Sequence, residues 1–267
     1  MLFAYFHRII YMSYFFPLPG KAGRALFFLR EYFFPFGCSM CGAELLDSAE
    51  TWYGLCKTCR AGLERELEEN RAGECCDYCG KPLISEQGRC LSCREGEGRS
   101  YNRVKVLFPY TGKYRRLLTA YKFGKNLAAG NFLAEKVREA LAGAFPPEAR
   151  IVPVPPRPGK LRKTGWDQVE YLARLLERNH RSGGGLAIHR LAVHRCLKRL
   201  PSQSQKELGR DNRRSNLQGR ITPVRQVPQT AVLIDDVMTT GATLDACAAA
   251  LKEAGTHTVY GLCLFYD

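Results

Sequence analysis

The stretch Ala231-Val-Leu-Ile-Asp-Asp-Val-Met-Thr-Thr-Gly-Ala-Thr243 decides the fold. Its first four residues, Ala231 to Ile234, form an uninterrupted apolar run bounded by turn-formers. This reads as a short strand buried on both faces of a parallel sheet. Two carboxylates follow, Asp235 and Asp236, and then a loop of small and hydroxyl residues, Thr239, Thr240, Gly241, Ala242 and Thr243. Beyond it, Leu244, Cys247, Ala248 and Leu251 recur at helical spacing, and Gly255 stands where a helix ends. Strand, acidic pair, loop and helix N-terminus together suit a phosphorylated sugar. Free N–H groups at a helix start attract phosphate, Gly241 permits close backbone approach, and paired carboxylates accept from a diol. No Gly-x-x-x-x-Gly-Lys is present, so the stretch is not a Walker loop.

An ordinary strand–turn–helix would share this order but not this composition. Both acids and Thr240-Gly241-Ala242-Thr243 resemble the PRPP-binding signature of type I phosphoribosyltransferases.

Upstream, a second strand-and-loop reads the same way. Ile151 to Val154 is a short core strand, and Pro155 to Lys163 is a stiff basic loop. Arg157, Lys160, Arg162 and Lys163, with backbone amides, are candidates to hold a pyrophosphate. Val169, Leu172, Ala173 and Leu176 then fall on one helical face. Nearer the N-terminus, residues 104–110 read as a strand. Tyr114, Leu117, Leu118 and Tyr121 share a helical face, and Leu133, Val137, Ala140 and Leu141 mark a further helix. Residues 257–266 close the chain as an apolar strand. Strands alternating with helices imply α/β architecture with a mostly parallel sheet, whose carboxyl edge is the ligand side.

The 267-residue chain has a formal net charge of +14. Zinc held by thiolates would reduce that excess but not reverse it. Polyanions or phosphorylated ligands fit it, as does plain solubility. Twelve cysteines could suggest disulfides, but eight of them fall into Cys38/Cys41, Cys56/Cys59, Cys76/Cys79 and Cys90/Cys93. Four Cys-x-x-Cys pairs are metal spacing, and two pairs complete a closed, structural zinc site. Pairing in sequence would give two such sites; an interleaved pairing is the alternative, and Cys75 is an alternative to Cys76. With no signal-peptide pattern, a reducing cytoplasm is the expected compartment. Residues 1–37 form an aromatic-rich leader, with a helix around residues 25–34 that packs on the next domain or lies on a membrane surface. Charges and prolines interrupt every apolar run, so no transmembrane helix is expected. Residues 38–93 are the zinc-ribbon domain, 94–100 a polar boundary, and 101–267 the larger domain. Within the last, residues 195–220 form a basic, weakly periodic segment, read as a lid over a phosphorylated substrate or a nucleic-acid contact.

Several motifs in fixed order resemble the ComF family of competence proteins: Phe33-Phe34-Pro35, the Cys-x-x-Cys region, Tyr121-Lys122-Phe123-Gly124, Val152-Pro-Val-Pro155 with Gly165-Trp166-Asp167-Gln168, and Gln205…Leu208…Arg213…Asn216 leading to Asp235-Asp236. The resemblance spans about residues 30–267. One departure stands out: the family often has Arg-Gly-Phe-Asn-Gln where this chain has Thr164-Gly165-Trp166-Asp167-Gln168. The resemblance implies a phosphoribosyltransferase fold and a link to uptake or use of external DNA. It implies transfer of ribose 5-phosphate from PRPP with Mg²⁺ bridging the pyrophosphate, Asp235 and Asp236 orienting the ribose, and Thr239–Thr243 holding the 5-phosphate. The alternatives are a non-catalytic accessory protein that binds single-stranded DNA, with Phe123 and Trp166 as stacking candidates and competence-machinery proteins as partners, and a nucleotide-salvage enzyme.

Overall fold

The computed structural model describes residues 37–71, 75–83, 85–96, 98–178, 180–181, 187–188, 191–201 and 219–267. The leader up to residue 36 and residues 202–218 of the basic segment lie outside these.

Four strands make the central sheet: β1 (Arg103–Pro109), β2 (Arg150–Pro153), β7 (Thr230–Met238) and β8 (Thr258–Tyr266), in the order β1-β8-β7-β2. All three pairings are parallel. Two short antiparallel pairs accompany it, β3 (His180–Arg181) with β4 (Ala187–Ile188), and β5 (Leu197–Arg199) with β6 (Ile221–Pro223). β7 outruns the apolar segment that announces it. Its ladder with β8 continues through Asp235↔Cys263, Val237↔Phe265 and Met238↔Tyr266, because β8 runs alongside as far as Tyr266 and its backbone offers hydrogen-bond partners beyond the apolar run. The acidic pair therefore lies inside the strand.

Alternation along β7 sends Val232 and Ile234 into one buried cluster and Ala231 and Leu233 into another. The first cluster is filled by α4 (Gly112–Lys122), α5 (Leu127–Ala144) and α7 (Gln168–Glu177). Tyr121, Leu133 and Leu172, read from helical spacing, are fully buried there. The second cluster is filled by α8 (Ala242–Glu253) and the β5–β6 pair.

The cysteine-rich region contributes α1 (Ser48–Tyr53), α2 (Lys57–Arg71) and α3 (Leu91–Glu95). Its two halves part company. Cys38, Tyr53, Leu55, Leu63 and Leu67 join the first cluster. Cys76, Cys79 and Cys90 join the second. Each half is thus built into one face of the sheet. Among the described residues, no helix is long and apolar enough to cross a membrane.

Candidate functional site

Three segments far apart in sequence meet at the carboxyl end of β7. The last turn of α4 brings Lys122, whose ammonium lies 2.5 Å from Asp236 Oδ2. The start of α7 brings Gln168, whose Nε2 donates to the same oxygen at 2.7 Å. Gln168 Oε1 accepts from Lys160 at 2.5 Å, and Lys160 also pairs with Asp167 Oδ2 at 2.7 Å. The Tyr121 hydroxyl donates to the Gln168 carbonyl at 2.6 Å, fixing the backbone beneath the amide. Asp167 caps α7 by accepting from the Glu170 N–H at 2.9 Å. An aspartate rather than asparagine at this position thus has a local reason, since it neutralises Lys160.

The two acids behave oppositely. Burial disfavours charge on Asp236, but Lys122 and the hydrogen bonds from Lys122 and Gln168 outweigh it and hold its carboxyl below the ordinary value. Burial, and then the charge of Asp236, push Asp235 well above the usual carboxylate range. Strand alternation directs Asp235 toward the α8 flank, where Cys247, Arg199 and Cys263 are electrostatic neighbours. The pair therefore favours one charge, seated on Asp236, with the proton on Asp235.

The phosphate-loop candidates follow directly. Thr239 and Thr240 are exposed, Gly241 and Ala242 are buried, and Thr243 is half-buried at the start of α8. Gly241 has φ 73°, a left-handed conformation that side chains disfavour. A Cβ there would lie 3.1 Å from Met238 Cε and 3.1 Å from the Tyr101 hydroxyl. The Ala242 N–H is weakly held by Thr240 Oγ1 at 3.4 Å.

The pyrophosphate candidates separate. Lys160 is committed to Asp167 and Gln168. Arg157, Arg162 and Lys163 are exposed on the β2–α7 connection, which carries the short helix α6 (Lys160–Thr164). Two cations not singled out from sequence join Arg157. Arg199, half-buried at the end of β5, has Arg157, Asp235 and Arg220 as electrostatic neighbours. Burial first, then the like charge of Arg157, holds it below its ordinary value. Among the described residues, Arg220 Nη1 is buried without a hydrogen-bond partner, and the Leu200 N–H donates to the Arg220 carbonyl at 2.8 Å across the β5–β6 end. In sequence both arginines merge into the basic 195–220 run, and only the strand pairing brings them together. Of the stacking candidates, Trp166 is buried against Tyr121 and Tyr171, whereas Phe123 is 69% exposed.

The eight paired cysteines form two groups in sequence order: Cys38, Cys41, Cys56 and Cys59, then Cys76, Cys79, Cys90 and Cys93. Within each group the sulfurs lie within 4.8 Å of one another. Cys75 stands outside both. The sulfurs of Cys41 and Cys56 lie 3.8 Å apart, and those of Cys79 and Cys90 3.7 Å apart. Tetrahedral zinc with bonds of about 2.3 Å sets sulfurs ~3.8 Å apart. The donor sets therefore fit, and each group could hold a structural zinc ion with no coordination position left for chemistry.

No family model matches the chain. Three curated relatives do. Competence protein ComFC of Streptococcus pneumoniae is 29% identical over 208 residues, 77% of this chain and 84% of that protein. Competence protein F of Haemophilus influenzae is 26% identical over 242 residues, 85% of this chain and 95% of that protein. Competence protein ComFC of Bacillus subtilis is 24% identical over 234 residues, covering 82% and 89% respectively.

Proposed function

These relatives support membership of the ComF family, and from that premise we propose a Mg²⁺-dependent, PRPP-binding phosphoribosyltransferase-type protein that serves DNA uptake or the use of external DNA. The observation that carries this reading is the convergence on Asp236 of Lys122 and Gln168 at 2.5 and 2.7 Å, one loop before the Gly241 turn. In it, the Thr239–Thr243 backbone and hydroxyls hold the 5-phosphate at the start of α8. Asp236, kept ionised by Lys122, accepts from a ribose hydroxyl, and Asp235 would release its proton to solvent when a divalent cation neutralises the pair. Arg157, Arg199 and Arg220 neutralise the diphosphate. Magnesium, when bound, would supply electrostatic stabilisation of the leaving diphosphate. Oxygen-rich ligands and the Asp235/Asp236 carboxylates suit such a hard cation. Catalysis then comes from positioning and charge, with no nucleophilic side chain.

The test is calorimetric titration of PRPP with Mg²⁺ into the full chain and into an Asp235→Asn, Asp236→Asn variant. Saturable binding lost in the variant supports the reading. No binding by folded, zinc-loaded protein sinks it.

One observation favours a second reading, a single-stranded DNA-binding accessory protein. Phe123 is 69% exposed with the Lys122 ammonium 5.8 Å from its ring centroid, and the same turn is tied by Lys125 to the Thr164 carbonyl at 3.2 Å, so an exposed aromatic ring stands with a cation against it. Affinity for single strands that falls steeply with salt, and falls again in Phe123→Ala, would support it.

A further inference from the structure

The second four-cysteine group and the Thr239–Thr243 loop are joined by a short chain of contacts. Tyr78 sits between Cys76 and Cys79. Its hydroxyl accepts from the Arg99 N–H at 2.7 Å and donates to the Arg99 carbonyl at 3.1 Å. Its own carbonyl accepts from the Val104 N–H at 2.8 Å. Its ring packs on Tyr101 with centroids 5.4 Å apart. Arg99 then reaches the loop: Nη2 donates to the Thr240 carbonyl at 3.1 Å, and Nη1 pairs with Asp245 at 3.5 Å. The Ser100 N–H donates to Asp245 Oδ1 at 2.7 Å. Tyr101, buried, places its hydroxyl against Gly241. Cys76, Cys79, Cys90, Tyr101, Met238 and Leu244 belong to one buried cluster.

The first four-cysteine group is fastened elsewhere. Ser39 Oγ accepts from Asn126 Nδ2 at 2.8 Å, and the Trp52 carbonyl accepts from Asn131 Nδ2 at 2.8 Å. Both partners lie at the start of α5. Among the described residues, none of its hydrogen bonds reaches 239–245.

We infer that Tyr78, Arg99 and Tyr101 are positioning residues for the Thr239–Thr243 loop, and that metal in the Cys76/Cys79/Cys90/Cys93 group fixes where they stand. The physical reason lies in Asp245. It is an anion in the first turn of α8, where a carboxylate competes with phosphate for free N–H groups. Arg99 and the Ser100 N–H hold it outward. The Thr240 carbonyl, tied to Arg99, sets the direction of the loop. Without the metal, the turn carrying Tyr78 loses its crosslink and the loop loses its mount. The functional consequence rests on the ribose-phosphate reading above; the structural coupling does not.

The test uses the full, metal-loaded chain and three variants: Tyr78→Phe, Cys93→Ser and Cys41→Ser. Zinc content, hydrogen–deuterium exchange of peptides spanning 239–245, and calorimetric titration with ribose 5-phosphate are measured on each. Tyr78→Phe keeps ring and metals but loses both bonds to Arg99. Exchange over 239–245 is expected to speed up, and ribose 5-phosphate affinity to fall, each about tenfold. Cys93→Ser releases one zinc and loosens the same peptides further. Cys41→Ser releases one zinc, loosens the start of α5 and leaves 239–245 at the wild-type rate. Unchanged exchange at 239–245 in Tyr78→Phe overturns the inference, and so does equal loosening in Cys41→Ser. If a cysteine variant fails to fold, Tyr78→Phe decides the positioning roles, and exchange at 239–245 in chelator-treated wild type decides the metal's part: an unchanged rate there overturns it. Wild-type protein that ignores ribose 5-phosphate defeats the ribose-phosphate reading, while the exchange data still decide the coupling.

Discussion

Lys122→Met should expose how the acidic pair is maintained. Asp236 is 7% exposed, and its Oδ2 takes both the Lys122 ammonium and the Gln168 amide. A hydrogen bond between charged groups contributes about 1.5–3 kcal/mol; an exposed ion pair contributes about 0–1 kcal/mol. The Lys122 side chain is 28% exposed, so the loss should fall in the lower half of the first range, at about 2 kcal/mol. Methionine keeps most of the stem packing, so this loss is chiefly the charge. In an Asp236→Asn background the same change should cost under ~0.5 kcal/mol, a coupling of about 1.5 kcal/mol. Urea unfolding, followed by the fluorescence of Trp166 between Tyr121 and Tyr171, measures all four corners of the cycle. Asp236 has a depressed folded-state value, so its stabilisation is present above the unfolded carboxylate value and is lost as pH falls through the folded one. The gap between wild type and Lys122→Met should therefore close as pH drops below about 4. An additive cycle at pH 7, or a gap that widens in acid, would refute the reasoning.

Asp235 carries the opposite sign. Its folded-state value is raised, so its contribution is present below the unfolded value and lost as pH rises. Asp235→Asn should be more stable than wild type at pH 7 in urea titrations, with no difference near pH ~4; lower stability at pH 7 would contradict the assignment. Gly241→Ala places a side chain at φ 73° against Met238 and Tyr101. It should cost about 1–2 kcal/mol in urea unfolding and weaken ribose 5-phosphate binding about tenfold or more. Atomic emission should find two zinc ions per chain. Their removal by a strong chelator should lower the thermal midpoint by about 10 °C or more; an unchanged midpoint would separate the metals from the fold.

Much of this was legible because it is periodic or local. The β7 loop and α8 announce themselves in one continuous stretch, and four Cys-x-x-Cys pairs announce their chemistry. Their grouping in sequence order was one of two open pairings, because spacing alone does not say which turns stack. The α/β order followed from alternating apolar runs. The extension of β7 through Asp235 and Asp236 did not, since two acids look like the end of a strand until β8 supplies a ladder for them. Lys160 reads as a free cation in a basic loop; only tertiary contact with Asp167 and Gln168 shows that its charge is spent. Arg199 and Arg220 stand far apart in sequence, and no local signal marks them as neighbours. Arg99 and Ser100 lie in a polar, glycine-rich stretch that reads as a spacer, yet they grip Asp245 and Thr240.

The fusion of each four-cysteine group to one face of the sheet has a consequence for the order of assembly. Cys38, Cys76, Cys79 and Cys90 are nearly sealed, and the two buried clusters they join are completed by residues of β7, α8 and β8 from the other end of the chain. During synthesis the thiols emerge first and their cover last. In that interval all four thiols of a group are open at once, whereas the folded protein leaves only Cys41, Cys56, Cys59 and Cys93 among them within reach of solvent, so zinc loading should run ahead of closure of the sheet. In a chain made without zinc, metal supplied afterwards would meet those reachable thiols first and complete its tetrahedron only as fast as the buried ones are uncovered.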